Sequence, residues 1–492
     1  MRGRSPLSGT GLTVPELSER LAKYSGVGYV VAPAGYGKTH LIASALQHAE
    51  RRQLVLTHTY AGVNALRRKL RLVGVTDAAC RVDTFASWAL RLSLAYPQAS
   101  GWTINRPDSG EWTDLYRACS RLLDCAFVRR VVRASYGGLY VDEYQDCSPG
   151  QHDIVLRLAR DIPCRILGDP LQGIFDFDDQ PIDWQRDIES AFERIGELNT
   201  PHRWRRAGSS ALGDWLRDVR EALESRQTID LPPHPPERLR IQMASSDTAQ
   251  LFVAQTNTCR GLRCQRGEGV IAIHKGEPTY KGKCHRLAKQ LGGMYSSIEE
   301  IEGRDLFSFI RKCEGARTDQ ARLRHAIALS ESAMAGVSQA LSAGTRRGER
   351  VAIRPSTCNP DVARAGNAYL DNPTSANMAA FLMAVRGTPS VHVARADLLN
   401  RAVGILRKHA ASPQLTLGEA AERYQTLFRH RGRPVGRRRL IGTTLLVKGL
   451  EFHHAIVLEA QSLSRKELYV ALTRGASSLT IITSSQTLNP VD

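Results

Sequence analysis

Residues 28–47 read GYVVAPAGYGKTHLIASALQ. Gly28–Ala32 is a short apolar run, the signature of a strand buried in a parallel sheet. Ala32–Thr39 (APAGYGKT) follows it, and a helical pattern from Leu41 to Arg51 comes next. A phosphate-binding loop needs this order of strand, glycine turn and helix. The glycines let backbone N–H groups of Ala34, Gly35, Tyr36 and Gly37 point at phosphates, and the helix N-terminus adds positive potential. Lys38 then reaches the β- and γ-phosphates, and Thr39 ligates Mg²⁺. Ala32 stands where the general pattern has its first glycine.

Working outward, further apolar runs occur at Gln53–Thr57, Leu139–Asp142 and Cys164–Gly168, with helical patterns such as Asn64–Leu72 between them. This βαβ rhythm predicts an α/β fold with a parallel sheet covered by helices. Val141–Gln145 (VDEYQ) ends one of these strands with an acidic pair. Beside a phosphate loop, Asp142 suits a Mg²⁺ ligand and Glu143 a base for the attacking water. Strand signals recur at Arg238–Met243 and Val270–His274, after a helix near Ser209–Glu224 and a proline-rich connector, and the α/β pattern returns at Leu440.

The chain has 492 residues, with 67 Lys+Arg against 49 Asp+Glu and a net charge of +18; eleven of the cations are Lys and the rest Arg. Such an excess fits a polyanionic partner, and Arg forks onto phosphate bidentately. Solvated arginine faces fit the count as well. The basic run Arg429–Leu440 (RHRGRPVGRRRL) reads either as a solvated hinge or as a phosphate-contacting rim. The ten cysteines form no C-x-x-C pair and no zinc-finger spacing, which points to free thiols in a reducing cytoplasm. No apolar stretch of spanning length occurs and the N-terminus lacks a long apolar segment, so neither a membrane anchor nor a secretory signal is expected.

Four further segments, with the two above, resemble the ordered motifs of the UvrD/Rep branch of superfamily 1 DNA helicases. Leu167–Phe177 (LGDPLQGIFDF) is similar to GDxxQxIYxF, and Leu198–Trp204 (LNTPHRW) to LxxNYRS. Thr443–Phe452 (TTLLVKGLEF) is similar to TxHxxKGLEF, and Leu468–Gly475 (LYVALTRG) to YVAxTRA. The resemblance spans Val30 to Gly475 in the correct order. It implies two RecA-like P-loop domains, parallel sheets flanked by helices, carrying helical insertions. The first RecA-like domain is expected at 1–92 and 137–198, with a small helical insertion at 93–136. The second is expected at 199–312 and 431–492, with a helical insertion at 313–430.

The resemblance also implies roles. Gln172 would sense the γ-phosphate. Arg203 and Arg474 would be arginine fingers from the second domain, and Glu451 would bind the ribose. His40 and His202 stand where the family flanks adenine with an Arg and a Tyr. Phe175 and Phe177 match aromatics that stack on single-stranded DNA, though apolar packing suits either of them equally. Thr57, His58, Thr59, Thr84 and Phe85 fall in DNA-contacting motifs. The sequence departs from the family in having Leu445 for the motif histidine, Asp178 and Asp179 after Phe177, and no glutamine ahead of the phosphate loop.

The expected activity is that of a DNA-dependent ATPase, a 3′→5′ translocase or helicase using ATP and Mg²⁺ on single-stranded or partly duplex DNA. The short insertions resemble those of compact relatives in bacterial defence, such as the helicase-like subunit of Gabija systems. No nuclease motif follows the last helicase motif, so any cutting is expected from a separate nuclease subunit; DNA repair is the other expected setting. Two alternatives stay open: an ATP-hydrolysing nucleic-acid sensor that regulates a nuclease with little unwinding, and a non-catalytic DNA-binding scaffold. No residue distinguishes DNA from RNA.

Overall fold

Six short segments in the first half of the chain pair in one sheet: β1 (Val27–Val31), β2 (Gln53–Thr57), β3 (Cys80–Thr84), β4 (Gly138–Val141), β5 (Cys164–Gly168) and β6 (Glu193–Glu197). The first five are buried at nearly every position, as strands covered on both faces must be; β6 closes one edge and is half exposed. The order is β3-β2-β4-β5-β1-β6, and every neighbouring pair is parallel. The structure, a computed structural model, describes residues 13–107, 110–174, 182–300, 303–431 and 438–491. Phe175, Phe177, Asp178 and Asp179 lie outside the described residues, as do residues 432–437 of the basic run.

The chain divides between Ser225 and Arg226 into two units. The second unit carries β7 (Ile229–Asp230), β8 (Leu239–Met243), β9 (Val270–His274), β10 (Ser296–Ser297), β11 (Met334–Ala335), β12 (His392–Val393), β13 (Arg439–Thr443), β14 (Phe452–Val457), β15 (Gly475–Thr483) and β16 (Thr487–Leu488). Six of them form a second all-parallel sheet in the order β10-β13-β9-β14-β15-β8. Two short antiparallel pairs, β11 with β12 and β7 with β16, stand apart from it. Two six-stranded parallel sheets flanked by helices are the α/β class that the sequence implied, with two RecA-like domains.

The helical segment between β3 and β4 joins the core of the first sheet. Trp88, Leu115, Cys119 and Leu122 from its helices pack in one cluster with Leu54, Leu56, Leu139 and Ile166 from the strands. The helices of the second unit between Arg304 and Arg431 instead enclose a core of their own, from Leu306 to Ala421. The helical pattern was expected from about Cys313, but the helix begins at Arg304. Leu306, Phe309, Ile310 and Cys313 make one buried stripe at helical spacing, so the earlier turns belong to the same core. Residues 199–225 were expected in the second domain, and the structure places them in the first unit. Among the described residues no helix is long and apolar enough to cross a membrane. All ten cysteines are free thiols.

Candidate active site

Three adjacent strands, β4, β5 and β1, end side by side, and the loops leaving their C-terminal ends build the site. In open α/β sheets this edge is where ligands bind. After β1, the Ala32 N–H donates to Gly168 O at 2.8 Å, which fixes the loop beside β5. Gly35 and Gly37 then adopt φ of 80° and 98°, a left-handed conformation that side chains disfavour. Gly37 caps the ten-residue helix Lys38–Gln47, and its carbonyl accepts the Leu41 N–H at 2.9 Å. The N–H groups of the first turn therefore have no intrahelical acceptor. Thr39, half-buried, sits in that turn.

Lys38 is buried, and its Nζ lies 2.5 Å from Glu143 Oε2 and 3.5 Å from Asp142 Oδ1. Burial alone would lower the ammonium's pKa. The facing carboxylates of Glu143 and Asp142 outweigh it and hold Lys38 above its ordinary range. Burial pushes the Asp142 carboxyl up, against the attraction of Lys38, and repulsion from Glu143 adds to the rise. Glu143 itself has φ 58° and ψ 44°, rare for a residue with a side chain. Strain of this kind gathers at functional sites.

A ring of contacts closes behind this ion pair. Gln145 Nε2 donates to Glu143 Oε2 at 2.7 Å, and its Oε1 accepts the Asp169 N–H at 3.0 Å. Asp169, wholly buried at the end of β5, returns the ring to the phosphate loop. Its Oδ2 accepts the Ala34 N–H at 3.2 Å and Gln172 Nε2 at 2.8 Å. Its Oδ1 accepts Arg220 Nη1 at 2.7 Å and the Leu171 N–H at 3.3 Å. Lys38, Glu143, Gln145, Asp169 and Gln172 are thus one connected group.

The turn after β6 packs on the same loop. The Leu198 N–H donates to Val31 O at 3.0 Å, and the Arg203 N–H to Gly35 O at 2.9 Å. A Cβ on Gly35 would lie 2.9 Å from the buried Trp204 ring and 3.0 Å from Arg203 Cβ; one on Gly37 would lie 3.6 Å from the His202 ring. This packing is why Arg203 and His202 belong to the first unit rather than the second. The Arg203 guanidinium sits 5.6 Å from the Trp204 ring centroid. Burial holds both His40 and His202 below the usual imidazole range, with Lys69 and Arg206 adding to it at His40 and Arg206 and Arg205 at His202.

The residues expected to touch DNA cluster at the ends of β2 and β3, where Thr57 and Thr84 are register partners. Thr57 and Thr84 are both 2% exposed. The hydroxyls of Thr59 and Thr84 cap helices, accepting the Gly62 N–H at 3.1 Å and the Ser87 N–H at 3.0 Å. Phe85 is 1% exposed and packs in the first core, 5.4 Å from the His58 ring. His58 Nε2 lies 3.8 Å from Cys147 Sγ.

Arg474 and Glu451 lie in the second unit. Arg474 is buried, and its guanidinium donates to Val470 O at 2.9 Å, Leu450 O at 3.2 Å and Thr473 Oγ1 at 2.9 Å. Glu451 is exposed in the turn before β14.

Residues 103–192 match the family model described as UvrD/REP helicase N-terminal domain. That stretch holds Asp142, Glu143, Gln145, Asp169 and Gln172. No curated protein matches the chain. Among solved structures, the arterivirus nonstructural protein 10 helicase is similar at 12% identity and a TM-score of 0.35, over 96% of this chain and 63% of that one. The Pif1 helicase from Candida albicans is similar at 13% identity and a TM-score of 0.26, over 54% of this chain and 56% of that one. The chain therefore spans less than two thirds of the length of either.

Sequence reasoning had quoted Asp169 and Gln145 inside their motifs without giving them a task, and had not seen Arg220. The signal for Arg220 is a cation within an apolar stripe. Leu212, Leu216, Val219, Arg220 and Leu223 are all buried on the helix Ser210–Glu224. A charge at such a position needs a buried partner.

Proposed function

We propose that the chain is a nucleic-acid-dependent ATPase of the UvrD/Rep type that translocates on single-stranded DNA. One observation carries this reading: a buried lysine at the start of a helix, after a loop of left-handed glycines, ion-paired to a carboxylate pair from a neighbouring loop.

The residues present fit ATP and Mg²⁺. The glycine positions leave room where a Cβ would fill the loop, and the first helical turn offers free N–H donors to phosphate oxygens. Thr39 and Asp142 are hard oxygen donors of the kind Mg²⁺ takes. When bound, the ion would neutralise charge developing on the phosphates. The remaining steps belong to the chain. Phosphate replaces Glu143 as the partner of Lys38, which frees the Glu143 carboxylate to accept a proton from the attacking water. Gln172, held by Asp169, meets the γ-phosphate. Arg474, Glu451, His40 and His202 keep the roles the family resemblance implies, and Arg203 keeps its arginine-finger role from the first unit. Thr57, His58 and Thr59 border the strand path, and Phe175 and Phe177 keep the stacking role the family resemblance implies.

The resemblance supports 3′→5′ movement, and defence or repair with a separate nuclease as the setting. The helical segment between β3 and β4 is absorbed in the first core. That favours the reading of an ATP-hydrolysing sensor with little unwinding, which a strand-displacement assay run beside an ATPase assay distinguishes. The core proposal is tested by ATP hydrolysis with and without oligothymidylate. Glu143→Gln should bind ATP and lose most turnover, and Lys38→Ala should lose both. Wild-type turnover in Glu143→Gln overturns the mechanism.

A further inference from the structure

A second arginine cluster lies on the free edge of the first sheet, at β3, four strand positions from β1. At about 4.8 Å per strand that is roughly 19 Å from the phosphate loop. A cavity of about 480 Å³ there is lined by Arg52, Arg67, Arg71, Arg81 and Arg91. The fold brings them together by simple periodicities. Arg67 and Arg71 are one turn apart on the helix Tyr60–Leu72. Arg81 and Asp83 alternate onto one face of β3. Arg91 comes from the helix Phe85–Ala95.

Five guanidinium groups meet two carboxylates in this cavity, Asp77 and Asp83. Asp83 accepts Arg81 Nε at 3.4 Å and also pairs with Arg91 Nη2. Arg67 Nη2 donates to the β3 carbonyl of Val82 at 2.9 Å. Arg71 Nε reaches only Arg67 O, at 3.3 Å. The Arg52 side chain has no hydrogen-bond or ion-pair partner among the described residues. Like charges one helical turn apart disfavour a helix. An excess of cations gathered in a concavity has no stabilising role of its own, and it is relieved by an anion.

We propose that this cavity binds the phosphodiester backbone of nucleic acid, as a contact separate from the strand path at the sheet's C-terminal edge. The inference rests on the nucleic-acid reading above. Guanidinium forks match phosphate oxygens bidentately, with no demand on base sequence. Arg52, Arg67, Arg71 and Arg91 are exposed, so an extended chain can lie across them. The Asp83 and Arg91 end adjoins Thr84, register partner of Thr57 in the proposed strand path. A five-residue strand spans about 16 Å, room for two or three phosphates beyond that point.

The test is the double variant Arg52→Glu/Arg71→Glu, with Arg52→Gln/Arg71→Gln as its milder form. Both side chains are exposed, and an unchanged melting temperature confirms that each variant folds. Anisotropy of a labelled oligothymidylate is measured over a salt series. Support is an affinity at low salt reduced at least about tenfold in the Glu variant and less in the Gln variant. The log–log salt slope becomes shallower by about 1.4, or 0.7 per phosphate contact, while ATP turnover without DNA is unchanged. Unchanged affinity and slope in both variants overturn the proposal while the nucleic-acid reading stands. Loss of tripolyphosphate binding with oligothymidylate binding intact shows a small-anion site and also overturns it. A wild-type chain that binds no oligonucleotide fails the nucleic-acid reading itself, and this inference with it.

Discussion

Arg220 Nη1 donates to Asp169 Oδ1 at 2.7 Å, and neither side chain is more than 5% exposed. Asp169 also holds Gln172 and the Ala34 N–H, so a helix far along the chain sets the carboxylate that joins the phosphate loop to the residue proposed to meet the γ-phosphate. Removing one member of a buried pair leaves an uncompensated charge, at a cost of about 3–5 kcal/mol. Arg220→Ala should therefore lower the melting temperature of the first unit strongly. Arg220→Met with Asp169→Asn should recover part of that stability, because the wholly buried Asp169 charge is gone and Glu224, the other carboxylate paired to Arg220, is 40% exposed. Turnover should stay low in the double variant, since an amide does not replace the carboxylate's four contacts. Recovery of both stability and turnover would show that Asp169 serves packing alone.

The two loop glycines should fail differently. Gly35→Ala meets the Trp204 ring at 2.9 Å and Arg203 Cβ at 3.0 Å, besides an unfavourable φ of 80°. Strain of about 1 kcal/mol or more then adds to overpacking of about 1–3 kcal/mol. Gly37→Ala carries the φ penalty alone, because the nearest atom to its methyl group, on the His202 ring, is 3.6 Å away. Thermal melts should rank wild type, Gly37→Ala and Gly35→Ala in falling stability. Nucleotide titration should still find Gly37→Ala impaired, because its methyl group stands at the helix N-terminus.

Much of this was legible before the structure. The strands β1, β2, β4 and β5 are compact apolar runs, and Lys38, Asp142 and Glu143 follow from where such strands end. The turn Leu198–Trp204 was expected to open the second domain, and it packs in the first unit. It packs on the backbone of Gly35 through the Arg203 N–H and the Trp204 ring, and contacts to backbone leave no mark in a sequence. Thr84 and Phe85 fall in a motif that the resemblance implies contacts DNA. Both are buried, because one hydroxyl caps the helix Phe85–Ala95 and the ring fills the core beneath it. Arg220 could be found only by asking why a cation sits in an apolar stripe.

Arg474 carries a structural load that its proposed role does not mention. Its guanidinium satisfies Val470 O and Leu450 O inside the second unit. Arg474→Ala removes a donor from each: Val470 O keeps the Thr473 hydroxyl at 3.1 Å, while the part-buried Leu450 O loses its guanidinium, at about 1–3 kcal/mol. The variant should thus lose melting temperature as well as turnover. Arg474→Lys should restore part of the stability and little of the turnover, because an ammonium cannot reproduce the planar fork. A variant that keeps full stability and loses only turnover would contradict these contacts.

The last expectation concerns acid. His274, at the end of β9 and beside Thr443 in register, is 1% exposed, and neither ring nitrogen has a hydrogen-bond partner among the described residues. Burial holds its pKa down to about 3, with the Lys283 ammonium adding to the effect. The ring is neutral in the fold, while the unfolded chain protonates it near pH 6.5. Between those values the unfolded state binds more protons, so stability is full above about pH 6.5 and falls as the pH drops toward 3. The slope approaches about 1.4 kcal/mol per pH unit for one such group. His285, held at about 4 chiefly by burial, acts in the same direction. His274→Phe removes the titrating ring without stranding a partner, and its neighbour Tyr280, tilted at 52° with ring centroids 5.7 Å apart, accepts an aromatic replacement. Melting curves taken from neutral pH down to about pH 5 should show the variant losing about 2 kcal/mol less than the wild type, the 1.5 units below 6.5 multiplied by that slope. Parallel losses in the two proteins would mean that His274 is charged in the fold or reached by water.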